Sequence, residues 1–240
     1  MLSPLSKQSQ SARRRNIGVT RPQPTAPIKV TAATKGTTDL TVTTLIAHCR
    51  AFFDTWERPH VLKVDNGPGM SGSNSAVRTV SRFVQFLLTQ EVTPVFAVPR
   101  RPFSQASIEG NNSVFARHFW RRRSFACVTE VDVQLAWFNQ ASARYSGYTR
   151  PVAAPRAPFE PKIIFIRQVQ EVAPGRAAIS VANASVSLAP AYVNLFVLAE
   201  WHLGTQQLTI SVERDGRLEC LAQVPFHVHP KTRLDRSIRV

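Results

Sequence analysis

Acidic residues are scarce in this chain. Its 240 residues carry 15 Asp and Glu against 30 Lys and Arg, a formal charge of +15, and no acid precedes Asp39. That imbalance points to a polyanionic partner, with nucleic acid first among them. Cysteine is also sparse. Cys49, Cys127 and Cys220 are odd in number and form no CxxC pair, which excludes a disulfide scaffold and predicts reduced thiols in a cytoplasmic protein. The six histidines do not combine with them at zinc-ligand spacing. No apolar run approaches the ~18 residues of a membrane span, so no membrane partner is expected. The Gly/Ser-rich stretch after Gly67 has no lysine at P-loop spacing, which argues against that kind of nucleotide cradle.

What is present suits a globular core: 43% hydrophobic against 19% charged residues. Residues 1–36 are the exception. They are rich in Ser, Pro, Thr and Arg, include Arg13-Arg14-Arg15, and read as a disordered basic arm. An organellar leader has a similar composition, but this stretch has no clear amphipathic helix. Ile28 to Val30 is the one strand-like remnant in it.

Beyond Asp39, Val42, Leu45, Ile46, Cys49, Phe53 and Trp56 recur at helical spacing. Val77 to Leu88 gives a second helical stripe, Ser104 to Arg122 a third, and Val128 to Phe138 a fourth. Two short apolar runs, Val61–Val64 and Val95–Val98, read as buried strands. Residues 151–161 contain four prolines and read as a linker. The period then changes from helical to two, over Ile163–Val169, Ile179–Val181, Val186–Leu188, Val193–Leu198 and Leu208–Val212. Asp215-Gly216 signals a hairpin leading to Leu218–Val224. Several short strands in about 70 residues predict a small all-β barrel. The tail, residues 230–240, is basic again. The four tryptophans, Trp56, Trp120, Trp137 and Trp201, have apolar neighbours and are expected in the core.

The chain is organised around VLKVDNGP. A β-branched run stops at Asn66-Gly67 and Pro68, so Asp65 falls at the C-terminal tip of a strand, the edge where open α/β sheets hold their ligands. A second acid, Glu109, follows after a loop, a helix, a strand and another loop, a path that can return it beside Asp65. Two carboxylates on one edge suit Mg²⁺ or Mn²⁺, which take oxygen ligands, and metal ions there can drive phosphodiester displacement. Residue spacing alone leaves open a simpler reading, an Asx turn at Asp65. Arg100, Arg101, Arg117, Arg121 and Arg122 crowd around Glu109 in sequence and read as a DNA-backbone track.

VDNGP, VFAVPRRPFSQASIEGNNSVFARHFW and WFNQASARYSGYTRP together resemble the second half of a retroviral-type integrase or DDE transposase core, as in bacterial insertion sequences. The resemblance implies a ribonuclease H-like α/β fold with a triad of two Asp and one Glu. Asp65 matches the second Asp, Glu109 the Glu, and Asn112 the polar residue one turn later. IIFIRQVQEV and AYVNLFVLAEWHLGTQQLTISV resemble the small SH3-like barrel that follows such cores. The expected organisation is a partial catalytic core over residues 37–150, a linker over 151–161 and a barrel over 162–229. DNA, a divalent metal and self-association are implied with it.

The departure from the pattern is equally specific. The family's first Asp would fall within Met1 to Gln10, which holds no acid. Asp39 sits where a helix cap is expected instead. The expectation is therefore an N-terminally incomplete integrase whose metal grip and chemistry are weakened, or a DNA-binding remnant without chemistry.

Overall fold

A computed structural model describes residues 41–55, 58–71, 76–101, 106–146, 156–234 and 238. The expected N-terminal arm, the strand remnant at Ile28 to Val30 and Trp56 lie outside them. The architecture is mixed α/β: a mixed six-stranded sheet with helices, and a separate three-stranded antiparallel sheet. No helix among the described residues is long and apolar enough to cross a membrane.

The first half alternates helix and strand. Helix α1 (Val42–Thr55) is followed by β1 (Val61–Val64) and by one helical turn, α2 (Pro68–Ser71). Helix α3 spans Arg82–Thr89 and strand β2 spans Thr93–Phe96. Strands β1 and β2 are parallel, with Val61 opposite Thr93 and Val64 opposite Phe96. Helix α3 supplies Phe83, Val84, Phe86, Leu87 and Leu88 to the core. Helix α1 packs Val42, Leu45, Ile46, Cys49 and Phe53 against it, and Phe53 stacks on Phe86 at 6.1 Å between centroids.

The helix predicted from Val77 begins five residues later. Ser81 caps it, its hydroxyl accepting from the Val84 N–H at 3.1 Å. Upstream, Arg78 has φ of 54°, which breaks a right-handed helix. Its N–H donates to the Ala182 carbonyl at 2.7 Å, and Asn183 Nδ2 donates to the Ala76 carbonyl. A tertiary contact thus takes the residues that periodicity assigned to the helix.

The second half is all β: β3 (Lys162–Gln168), β4 (Gln170–Ala173), β5 (Arg176–Val181), β6 (Ala184–Leu188), β7 (Phe196–His202), β8 (Gln207–Arg214) and β9 (Arg217–Pro225). Two-residue turns with both φ positive join β5 to β6 at Ala182-Asn183 and β8 to β9 at Asp215-Gly216, the geometry that matches strand twist. The β4 hairpin, through Pro174-Gly175, escaped the sequence reading because Gln170-Glu171 gives no apolar alternation.

The expected barrel is not closed by the strand pairing of the described residues. The large sheet runs β1-β2-β3-β7-β8-β9, and β4-β5-β6 stands as a second sheet. Strand β3 uses one edge for antiparallel β7 and the other for parallel β2, with Val95 opposite Ile164 and Phe96 opposite Phe165. Pairing therefore crosses the expected linker and joins the two halves in one sheet. Just before β3, Arg156 donates to the carbonyls of Pro59 and Glu91 at 3.0 and 3.1 Å, beside the starts of β1 and β2.

Trp201 is fully buried and donates from Nε1 to the Phe226 carbonyl at 2.8 Å. The other described tryptophans depart from expectation. Trp120 and Trp137 are 49% and 71% exposed, on the segment carrying helices α4 (Ala106–His118) and α5 (Val128–Ser146). Those helices build a separate aromatic cluster, in which Phe119 lies 5.0 Å from Phe115 and 5.6 Å from Phe138. Trp120 covers its rim.

Leu87→Ala is expected to destabilise the chain by about 2–5 kcal/mol, because the fully buried side chain leaves a cavity under β1 and β2. Urea unfolding measures it. Burial pushes the Cys49 thiol up to about 11, so it stays protonated at neutral pH and should react slowly with iodoacetamide until the protein unfolds. Cys127 and Cys220 are exposed and should label first. Timed mass spectrometry would read the order.

Candidate functional site

The tip of β1 is a built turn. Asp65 follows Val64 as the strand ends, and its side chain is exposed. Its Oδ1 accepts from the Gly67 N–H at 2.8 Å, the Asx turn that the residue types allow. The two turn readings of this stretch are thus compatible: an Asx turn holds the carboxylate while its second oxygen stays open to solvent. Gly67 matters sterically. A Cβ there would lie 2.9 Å from Asp65 Oδ1, so any side chain would push the carboxylate out of the turn. The chain then enters α2, where Ser71 Oγ donates to the Gly67 carbonyl at 3.0 Å.

Asn66 points the other way, into the protein. Its Nδ2 donates to the Ala97 carbonyl at 2.7 Å, just past the end of β2. Its Oδ1 accepts from Arg167 Nη2 at 2.9 Å. Arg167 comes from β3 and is only 8% exposed. Its Nη1 donates to the carbonyls of Ala97 at 3.0 Å and Ile166 at 2.9 Å, and its Nε to that of Ser180 at 2.8 Å. The guanidinium also sits 5.1 Å from the Phe165 ring centroid. Burial lowers its pKa to about 10, so it remains charged at neutral pH. One side chain from the second half of the chain thereby locks the residue next to Asp65.

Sequence reasoning missed Arg167, although a signal was there. Ile163, Phe165, Arg167 and Val169 share one parity in a period-two strand. All four are buried, so a charged residue in that phase had to be either an error of register or a functional or structural device.

Glu109 lies in the first turn of α4, which the chain enters after leaving β2. Its side chain, and that of Asn112, lie outside the described residues. Among the described residues no group of three or more His, Cys, Asp or Glu could hold a metal ion. The Asp65 carboxylate is a hard-oxygen group of the kind divalent metal ions take.

Of the arginines expected to track DNA, Arg100, Arg101, Arg117, Arg121 and Arg122 are exposed. Arg101 is anchored: its Nη2 donates to Gln168 Oε1 at 2.8 Å, and its guanidinium lies 5.7 Å from the Phe196 ring centroid. Arg121 and Arg122 form a 3-10 turn with Trp120 at the end of α4. Arg100 has φ of 55° in the turn leaving β2.

No protein-family model matches the chain, and no curated protein matches it.

Gly67→Ala is expected to break the Asp65–Gly67 hydrogen bond at a cost of about 0.5–1.5 kcal/mol. Asn66→Ala should cost more, about 1–3 kcal/mol, because it strips an acceptor from a buried cation. Equal shifts in urea midpoint for both variants would contradict this ranking.

Proposed function

We propose that this chain is a DNA-binding protein of the retroviral integrase and DDE transposase type, with a ribonuclease H-like core, that holds DNA but does not join strands by itself. The observation that carries the reading is topological. Parallel β1 and β2 end at the same edge of the sheet. Asp65 stands at the tip of β1, and the chain leaves β2 at that edge to enter α4 with Glu109 in its first turn. This is the order in which an acid pair of that family is expected to converge.

Asp65 and Glu109 would hold Mg²⁺ or Mn²⁺, and the metal would supply charge neutralisation at a scissile phosphate. The Asx turn keeps one Asp65 oxygen directed and leaves the other accessible. A third carboxylate in register with them is missing from the sequence pattern. With one fewer anionic ligand, metal affinity falls and the transition state loses several kcal/mol of stabilisation, which is many powers of ten in rate. The exposed arginines of the β2–α4 turn and the end of α4 would bind the DNA backbone. Self-association on DNA ends belongs to the same reading.

Double-stranded DNA should bind with an affinity that falls steeply with salt, each phosphate contact contributing about 0.9 to the slope of log K against log salt. Replacing Arg121 and Arg122 by Gln should lower that slope by about 2 without changing stability. Fluorescence anisotropy across a salt series measures both. In strand-transfer assays with Mg²⁺ or Mn²⁺ the wild-type chain should give no joined DNA. Joined products that Glu109→Ala abolishes would overturn the inactive reading and keep the family.

A further inference from the structure

A cavity of about 190 Å³ opens at the junction of the two sheets, lined among others by Asn66, Thr79, Phe96, Phe165, Arg167 and Asn183. This is well above the ~10–15 Å³ that one water needs, and enough for an oxyanion of five heavy atoms. The charged group on its wall is the guanidinium of Arg167. That group is more than nine-tenths buried, yet no carboxylate pairs with it among the described residues. Its partners are the oxygens of Asn66, Ala97, Ile166 and Ser180, all neutral. Those four bonds use four of its five N–H groups and leave one N–H on Nη2. Buried charges are ordinarily paired, because dipoles alone replace only part of the lost hydration. Phe96 and Phe165 form an apolar wall beside the cation, where low local polarity strengthens its pull on an anion.

We infer that this cavity is a phosphate-binding site, in which a phosphate group takes the remaining Nη2–H of Arg167 and neutralises its charge. Guanidinium groups favour tetrahedral oxyanions through such directed N–H bonds. The cavity reaches the β1 turn through Asn66, the residue after Asp65. The phosphate can come from free inorganic phosphate or from a DNA backbone phosphodiester. Only the second source rests on the DNA-binding reading.

The test uses the full chain. Inorganic phosphate should raise the thermal midpoint in a saturable way, beyond chloride at matched ionic strength. In ¹⁵N-arginine-labelled protein it should move a slowly exchanging Nε–H resonance, that of Arg167, whose Nε bonds Ser180. Arg167→Gln should weaken phosphate binding about tenfold or more. If that variant does not fold, Asn66→Asp places a carboxylate against Nη2 and should abolish the response by neutralising the cation. A wild-type response no larger than that to chloride overturns the site, as does a response retained in both variants. Competition between phosphate and a 20-base-pair duplex in fluorescence anisotropy, beyond that of chloride at matched ionic strength, identifies the backbone as the source. Phosphate binding without competition supports the site and assigns it to the free ion. If DNA does not bind at all while phosphate does, the DNA-binding reading fails and the phosphate site stands.

Discussion

The buried guanidinium of Arg167 is the point on which the two halves of this molecule depend. The parallel ladder joining β2 to β3 is short, with Val95 opposite Ile164 and Phe96 opposite Phe165. A ladder of that length contributes little on its own. Two side-chain devices extend it. Phe96 and Phe165 stack at 5.0 Å, and Arg167 reaches past them to the Ala97 carbonyl and to Asn66. Hydrogen bonds from a charged donor are worth about 1.5–3 kcal/mol each, and removing one partner of a buried ion is costly. The junction is therefore fixed by a few oriented bonds together with the hydrophobic cluster that runs through both halves, and the turn carrying Asp65 is held by the same bonds.

That arrangement links architecture to chemistry. Asp65 carries an exposed, directed carboxylate, and a strand tip left alone would fray. Its direction comes from Gly67, whose missing Cβ leaves room for the Asx bond. Its placement comes from Asn66, which turns inward and is clamped between Ala97 and Arg167. The three residues DNG thus divide the work: one exposed carboxylate, one anchor, one space. Exposed arginines lie on the turn leaving β2 and at the end of α4.

Much of this was readable from residue order, and the failures have physical causes. Period and turn chemistry located β1, β3, β5, β7, β8 and the hairpin at Asp215-Gly216, because those signals are local. The N-terminus of α3 was misjudged because Arg78 and Ala76 are drawn onto the β5–β6 turn, a contact no local pattern announces. That β3 also pairs with β2 was not legible for a related reason: β3 carries the alternation of a barrel strand, but which strand occupies its second edge is a tertiary matter. Trp120 and Trp137 were expected inside, yet a tryptophan's size does not decide which face of a helix is covered. At the site, the strand tip and its acid were legible from VLKVDNGP. Arg167 was legible only by parity, as a charge in phase with Ile163 and Phe165.

The described tryptophans sit in unlike settings, Trp201 fully buried and Trp120 and Trp137 49% and 71% exposed. Iodide, which quenches indole emission only on contact, reaches the second pair and spares the first. A quenching series therefore separates the strand core from the helical segment by optical means alone.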